Sequence, residues 1–200
     1  MVKIIKFDNE EDWLKSRLTR ITGTRKIMPK RGNTKMIGYY ELIAERLARP
    51  DDGQDPMERG HELEEEAIMK FEEKTKKIVD KSLTIWTRDD NDSISLSPDG
   101  MIREENGAVE VKCLSSAKHI KAFLEQEIPS DYEHQKLQYF VVNEKLETLY
   151  WIFYDPRFKN NSFFYLTFTR EELKFEISEY LEFQQETLKE VNDIVNKLSF

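Results

Sequence analysis

Between residues 77 and 113 the hydrophobic pattern changes period, and this change restricts the fold more than any other feature of the chain. On either side, apolar residues recur three and four apart, the spacing of an amphipathic helix. Ser93-Ile94-Ser95-Leu96-Ser97 instead alternates residue by residue, as a half-buried strand does. Lys77 to Thr87, rich in Ile, Val, Leu and Trp, is expected to be a strand as well. Met101 to Arg103 and Ala108 to Cys113 flank Asn106-Gly107, a strong hairpin signal. Helices are expected over Glu10 to Arg20, Thr34 to Leu47, Met57 to Thr75, Ser116 to Gln126 and Ser130 to Asn143. Another is expected from Thr169 towards Leu198, and strands over Glu147 to Tyr154 and Ser162 to Thr169. Arg25 to Asn33 and Pro50 to Pro56 read as breaks. Ser130…Glu133 and Thr169…Glu172 are capping-box patterns. Helices, strands around a hairpin, then helix, strands and helix make one mixed α/β domain over residues 1–200.

The single cysteine, Cys113, excludes an internal disulfide and a cysteine-ligated metal cluster. No apolar run approaches the ~20 residues of a membrane span, and the apolar stretch at the N-terminus is too short for a signal peptide. A soluble, reducing, cytoplasmic setting is expected. The net charge of −8 is unevenly spread. Trp13 to Tyr40 contains no Asp or Glu but holds Lys15, Arg17, Arg20, Arg25, Lys26, Lys30, Arg31 and Lys35. Two readings fit this segment: a solvated face with a basic loop, or a localised anion site.

Three carboxylates stand apart from ordinary surface charge. On the helix beginning near Met57, Glu64 projects at ~100° per residue into the apolar side formed by Met57, Gly60, Leu63, Ala67, Ile68 and Phe71. Either the helix leaves Glu64 at the boundary of that side, or its carboxylate is paired or bound to a metal. Asp99 sits in Ser97-Pro98-Asp99-Gly100, where a strand reaches a bend. Glu110 and Lys112, two apart, share one strand face, and Val109, Val111 and Cys113 share the other. The hairpin lets Asp99 and Glu110 converge. Phosphodiester hydrolysis needs a positioned water and a way to spread transition-state charge. Hard cations held by carboxylate and carbonyl oxygens supply much of this.

Together these residues resemble the PD-(D/E)xK nuclease superfamily: Pro98-Asp99, then Glu110-Val111-Lys112 eleven positions on. Gly60-His61-Glu62-Leu63-Glu64 resembles its upstream Gly-x-x-x-Glu element, and Tyr132-Glu133-His134-Gln135 its Tyr-x-x-Gln helix. Within it the chain is similar to the lambda exonuclease/YqaJ-type recombinase nucleases, in Trp13-Leu14-Lys15-Ser16-Arg17 with Ile21-Thr22-Gly23-Thr24, in Ser97-Pro98-Asp99-Gly100 and in Tyr154-Asp155-Pro156-Arg157. The resemblance implies a restriction-endonuclease-like core, a central mixed β-sheet flanked by helices. It implies a Mg2+- or Mn2+-dependent 5′→3′ exonuclease that degrades one strand of linear duplex DNA, with two ions at the site. It assigns metal binding to Asp99, Glu110, the Val111 carbonyl and Glu64. Lys112 would position or activate the attacking water, Gln135 would help orient it, and Arg17, Thr24 and Ser97 would bind the 5′-terminal phosphate. Thr24 stands where the family has Ser, and Gln138 falls three rather than two after Gln135, so it receives no role. A phage or prophage origin, a single-strand annealing partner and a ring-shaped homotrimer are further implications. The rival readings are a PD-(D/E)xK endonuclease and a non-catalytic DNA-end-binding protein.

His61, His119 and His134 lack metal-ligand spacing and read as structural or surface residues. Cys113 reads as a small buried filler. Phe163, Phe164, Tyr165 and Phe168 read as core or subunit contact. Lys118 and Lys121 fit either a solvated helix face or contacts to backbone phosphates.

Overall fold

Alternation and turn chemistry build two sheets in a computed structural model that describes residues 2–25, 27, 39, 42, 58–114, 116–156 and 161–199. The expected break at Pro50–Pro56 lies outside these residues. So do the expected loop at Arg25–Asn33 and helix over Thr34–Leu47, apart from Arg25, Ile27 and the buried, helical Tyr39 and Leu42. The first sheet is antiparallel, in the order β1 (Val2–Lys6), β2 (Thr84–Arg88), β3 (Ser95–Leu96). β1 was not foreseen. Its sequence, Val-Lys-Ile-Ile-Lys, is too short and too evenly mixed to announce a face. The strand expected from Lys77 is shorter than the pattern implied: only Thr84 onward pairs as β2, and Asp80 makes an isolated bridge to Met101.

The second sheet runs β4 (Gly100–Ile102), β5 (Gly107–Lys112), β6 (Thr148–Tyr154), β7 (Phe163–Thr169). β4 and β5 form the expected hairpin, with Gly100 opposite Val109 and Ile102 opposite Gly107. Its loop is a 3-10 turn over Arg103–Glu105 closed by Asn106 at φ 48°, rather than a two-residue turn. Asparagine tolerates that left-handed conformation better than most residues. Gly100 is needed for a different reason: a Cβ there would lie 2.3 Å from Val79 Cγ1.

β5 and β6 are parallel, so the chain must cross over between them. It does so through α3 (Ser116–Glu125) and α4 (Glu133–Val142). The remaining helices are α1 (Glu10–Ser16), α2 (Glu58–Thr75) and α5 (Lys174–Leu198). On one face of the second sheet, Ala67, Ile68 and Phe71 of α2 pack with Val109, Val111, Ile152 and Tyr154. The other core joins Ala108, Trp151 and Phe153 to Tyr139, Phe140 and Val142 of α4 and to Tyr180 and Leu188 of α5.

Capping chemistry behaves unevenly. Asn9 caps α1 by accepting the Asp12 N–H at 2.9 Å, and the helix ends at Ser16, one turn before the expected Arg20. Thr169 and Glu172 form their reciprocal box, at 3.0 and 3.4 Å, one turn before α5 begins. The Ser130…Glu133 box does not form. Ser130–Tyr132 is a 3-10 turn, and the Glu133 carboxylate accepts from Lys136 Nζ at 2.6 Å instead.

The carbonyl end of α4 is held by two distant arginines. Arg170 donates to Phe140 O, Asn143 O and Leu146 O at 2.6–2.8 Å. Arg88, almost fully buried, donates to Val141 O at 2.5 Å and pairs with Asp90 and Glu144. Both satisfy helix carbonyls that have no partner within the helix. Gln138, which the motifs left without a role, is fully buried. It donates to Ile21 O and Ser95 O at 3.0 Å each and accepts from Gln184 Nε2 at 2.6 Å. One side chain thus ties the segment after α1, the first sheet, α4 and α5 together.

Asp80 anchors the edge beside β4. Its backbone exchanges two hydrogen bonds with Met101 (2.8 and 3.0 Å), and its carboxylate accepts from Ser82 and Arg103. The Ser82 hydroxyl foremost, with the Ser82 N–H and Arg103, outweighs burial and holds its carboxyl at about 2, below the ordinary 3.8. A depressed folded-state value gives stability that is present above the unfolded value and lost as pH falls towards the folded one. Urea melts across this range should therefore show the wild type losing more stability than Asp80→Asn between pH 5 and pH 2, by about 1 kcal/mol once solvent screening is allowed for.

Candidate active site

The hairpin register decides where the acids meet. With Gly100 opposite Val109, Asp99 lies one step beyond the pairing and level with Glu110. Its Oδ2 accepts the Val111 N–H at 2.7 Å. On β5, Glu110 and Lys112 share a face, and the Lys112 ammonium pairs with Glu110 Oε1. From α4, Gln135 Nε2 donates to the same oxygen, and the Tyr139 hydroxyl donates to Glu110 Oε2. Gln135 and Tyr139 are four apart on the helix and so present one face to the strand. Glu110, 2 % exposed, is a buried carboxylate with a donor on each oxygen, the condition under which burial is tolerated. Lys112 also lies 4.9 Å from the Tyr132 ring and 5.4 Å from the Trp151 ring, two cation–π contacts that fix its head.

Glu64 arrives from α2, across the sheet from α4, and meets the others only at the strand ends. There a cavity of about 330 Å3 is lined by Trp13, Arg17, Thr24, Glu64, Ser97, Asp99, Glu110, Val111, Lys112 and Gln135. All nine site residues expected from the sequence face this one space. A second cavity, of about 240 Å3, shares Trp13, Glu64 and Asp99 with it and adds Ile68, Leu83, Thr84 and Pro98.

The electrostatics are unbalanced. Three carboxylates share the cavity with one lysine, Lys112, and one arginine, Arg17. Desolvation first, then the charges of Glu110 and Glu64, push the Asp99 carboxyl well above its ordinary range. Lys112 moves the other way from its surroundings: desolvation would lower it, but Glu110 and Asp99 outweigh that and raise it. Burial, then the Glu110 and Asp99 charges, raise the Tyr139 phenol, which keeps it a hydrogen-bond donor. Among the described residues no three acidic, histidine or cysteine side chains form a ready-made ion cage. The oxygens of Glu110 are taken by protein donors, and Glu64 approaches from the other face. The donor set nonetheless suits a hard divalent cation: carboxylate oxygens, a nearby backbone carbonyl, and surplus negative charge that a cation would relieve.

Towards the N-terminal side, Arg17 is the C-cap residue of α1, and its guanidinium lies 4.9 Å over the Trp13 ring. Thr24 is exposed, 3.4 Å from the Thr22 hydroxyl, and the Ser97 hydroxyl is buried with no hydrogen-bond partner among the described residues. Between them Gly23 packs against the site itself: a Cβ there would lie 2.8 Å from Leu96 Cδ1 and 2.9 Å from Gln135 Cγ.

Other expectations resolve differently. Cys113 is exposed, not a buried filler, because β5 ends at Lys112 and the strand's alternation no longer governs it. His119 is buried, with Nε2 2.8 Å from Asn161 O, and His134 stacks on Tyr180, so both are structural; the side chain of His61 lies outside the described residues. Phe164 is core, while Phe163, Tyr165 and Phe168 are half-buried. Lys121 is an exposed helix residue 3.7 Å from Glu125; Lys118 and Arg157 lie outside the described side chains. Tyr139 and Gln138 are the residues the motifs missed. For Tyr139 the available signal was its position four after Gln135.

A mixed sheet flanked by helices, with an Asp at the hairpin bend and Glu-x-Lys on the next strand, places the protein in the PD-(D/E)xK class of folds. A family model described as the YqaJ-like viral recombinase domain matches residues 12–145, and the chain belongs to that family. Its fold is similar to that of an alkaline exonuclease from Laribacter hongkongensis (TM-score 0.79, 23% identity, 95% of this chain and 96% of that one). The same enzyme solved with dAMP gives TM-score 0.77 and 24% identity, over 95% and 98% of the two chains. A phage-related exonuclease from Haemophilus somnus 129PT gives TM-score 0.58 and 13% identity, over 90% and 96%. No curated protein sequence matches. Among the described residues no helix is long and apolar enough to cross a membrane.

Because a Cβ at position 23 would press on Leu96 and Gln135, Gly23→Ala should overpack the site. Chemical denaturation is expected to show a loss of about 1–3 kcal/mol.

Proposed function

We propose that the protein is a Mg2+- or Mn2+-dependent 5′→3′ exonuclease that shortens one strand of linear duplex DNA and leaves a 3′ overhang. The observation that carries this reading is the shared cavity: Arg17, Thr24 and Ser97 open on the same space as Glu64, Asp99, Glu110, Lys112 and Gln135. Family membership and the likeness in fold to exonucleases agree with it.

Asp99, Glu110, the Val111 carbonyl and Glu64 are the residues that would hold the cations, two in this reading. When bound, such ions supply Lewis-acid polarisation of the phosphate and charge stabilisation at the leaving oxygen. Lys112, as an ammonium, donates towards the attacking water and offsets negative charge at phosphorus. Gln135, whose amide already reaches Glu110, orients the same water. Tyr139 holds Glu110 in place from its other oxygen. Water attacks phosphorus, the bond to the 3′ oxygen breaks, and the released nucleotide takes a proton as its 3′-hydroxyl forms. The new end keeps the phosphate as a 5′-phosphate, the group that Arg17, Thr24 and Ser97 suit: a guanidinium and two hydroxyls, one of them without a partner among the described residues. The overhang is the substrate of a single-strand annealing protein, the partner this reading assigns. A homotrimer and a bacterial cytoplasmic setting rest on the family resemblance alone.

Digestion of end-labelled linear duplex beside covalently closed circles tests the reading, with Mg2+ and with chelator. The expected result is Mg2+-dependent loss of linear DNA from its 5′ ends, intact circles, and at least a ~100-fold slower Lys112→Ala. Cut circles would move the protein to the endonuclease reading. Linear DNA bound but undigested would leave an end-binding protein.

A further inference from the structure

Resting on the exonuclease reading above, we propose that the second cavity is a nucleobase pocket, which takes the unpaired base of the 5′-terminal nucleotide without reading its identity. That reading puts the terminal phosphate against Arg17, Thr24 and Ser97 and the next phosphate at the carboxylates, so one nucleotide lies along the first cavity. The first cavity is a poor place for its base: of the ten residues that line it, only Trp13 and Val111 are apolar. Nor can a base pair follow the nucleotide in. Cavities of about 330 and 240 Å3 stand at or below the low end of small-molecule sites, roughly 300 Å3. The terminal base therefore enters unpaired and needs an apolar wall of its own.

The second cavity offers that wall next to the carboxylates. It shares Trp13, Glu64 and Asp99 with the first, and its own apolar lining is Ile68, Leu83 and Pro98. Glu64 and Ile68 are four apart on α2, so one helix face carries an acid of the first cavity and an apolar residue of the second. Ile68 and Pro98 are buried and Leu83 is half-buried. The walls are pre-formed: the Trp13 Nε1–H donates to Thr84 O at 3.1 Å, and Leu83 O accepts the Phe7 N–H at 3.0 Å. At the rim Lys81 pairs with Glu65 at 3.4 Å beside Ser82, all three exposed. These three and the buried Thr84 are the only polar side chains this cavity does not share with the first. Apolar and aromatic surface accepts any base through its faces, whereas telling bases apart takes fixed donors and acceptors at their edges. A pocket of this make-up suits an enzyme that must remove every nucleotide in turn.

The test is calorimetric titration with dAMP, dTMP and 2-deoxyribose 5-phosphate in Mg2+, on wild type, Leu83→Phe and Leu83→Trp. Both substitutions add bulk to the cavity from a half-buried position, and thermal melts show whether each variant folds. We expect the wild type to bind both nucleotides at least tenfold more tightly than the base-free sugar phosphate. A folded Leu83→Trp should bind all three alike, with Leu83→Phe between. Equal wild-type affinities for the three, which can be read whether or not the variants fold, would overturn the inference. So would a nucleotide preference that survives in both folded variants. Either result beside Mg2+-dependent digestion from 5′ ends would leave the exonuclease reading standing. Base-dependent binding that Leu83→Trp abolishes, in a wild type that digests no DNA, would overturn the exonuclease reading and leave the pocket.

Discussion

The Glu110 carboxylate sits almost out of water at the end of a strand flanked on both sides by others, and the placement of its neighbours follows from that burden. A buried carboxylate is stable only where donors surround it. One comes from the same strand face, Lys112, and two from the facing helix, Gln135 and Tyr139. The helix can supply them only if it is held in register. Arg88 and Arg170 grip its carbonyl end, and Gln138 ties its middle to the loop after α1 and to the long last helix. Elements far apart in sequence therefore serve one charge.

That charge is not alone. Asp99 is kept beside Glu110 by the hairpin register and by the Val111 N–H, and Glu64 reaches the same cavity from the opposite face of the sheet. Burial first, and then the charges of Glu110 and Glu64, push the Asp99 carboxyl up, so the ionised cluster costs stability without a compensating cation. Sites where carboxylates crowd against their own repulsion are where function is to be sought. Here the crowding adjoins Arg17 and the Ser97 hydroxyl, which has no hydrogen-bond partner among the described residues, and in the proposed reading one space would hold a phosphate end and hydrolyse its neighbour.

Much of this was legible in the sequence because it depends on local period. Two-residue alternation put Glu110 and Lys112 on one face, Asn106-Gly107 brought Asp99 alongside, and a helical projection singled out Glu64. What was not legible depends on partners far away. Arg88 and Arg170 look like any charged residues until the carbonyls of α4 are placed against them. Gln138 breaks the spacing of its motif and yet is the most connected buried amide of the helix. Local signals also lost to tertiary ones: the Ser130 box gave way to the Glu133–Lys136 pair, Cys113 left the strand's alternation where β5 stops, and the strand expected from Lys77 pairs continuously only from Thr84.

In the proposed function Asp99, Glu110 and Glu64 are gathered to hold a divalent cation. The most direct measurement is Mn2+ uptake followed by the electron paramagnetic resonance signal of the free ion, for wild type and Asp99→Asn without DNA. Saturable uptake by the wild type, weakened at least tenfold in a folded Asp99→Asn, is the expected result. Equal binding by the two proteins, or no uptake by the wild type at millimolar Mn2+, would mean that these carboxylates are not gathered around an ion.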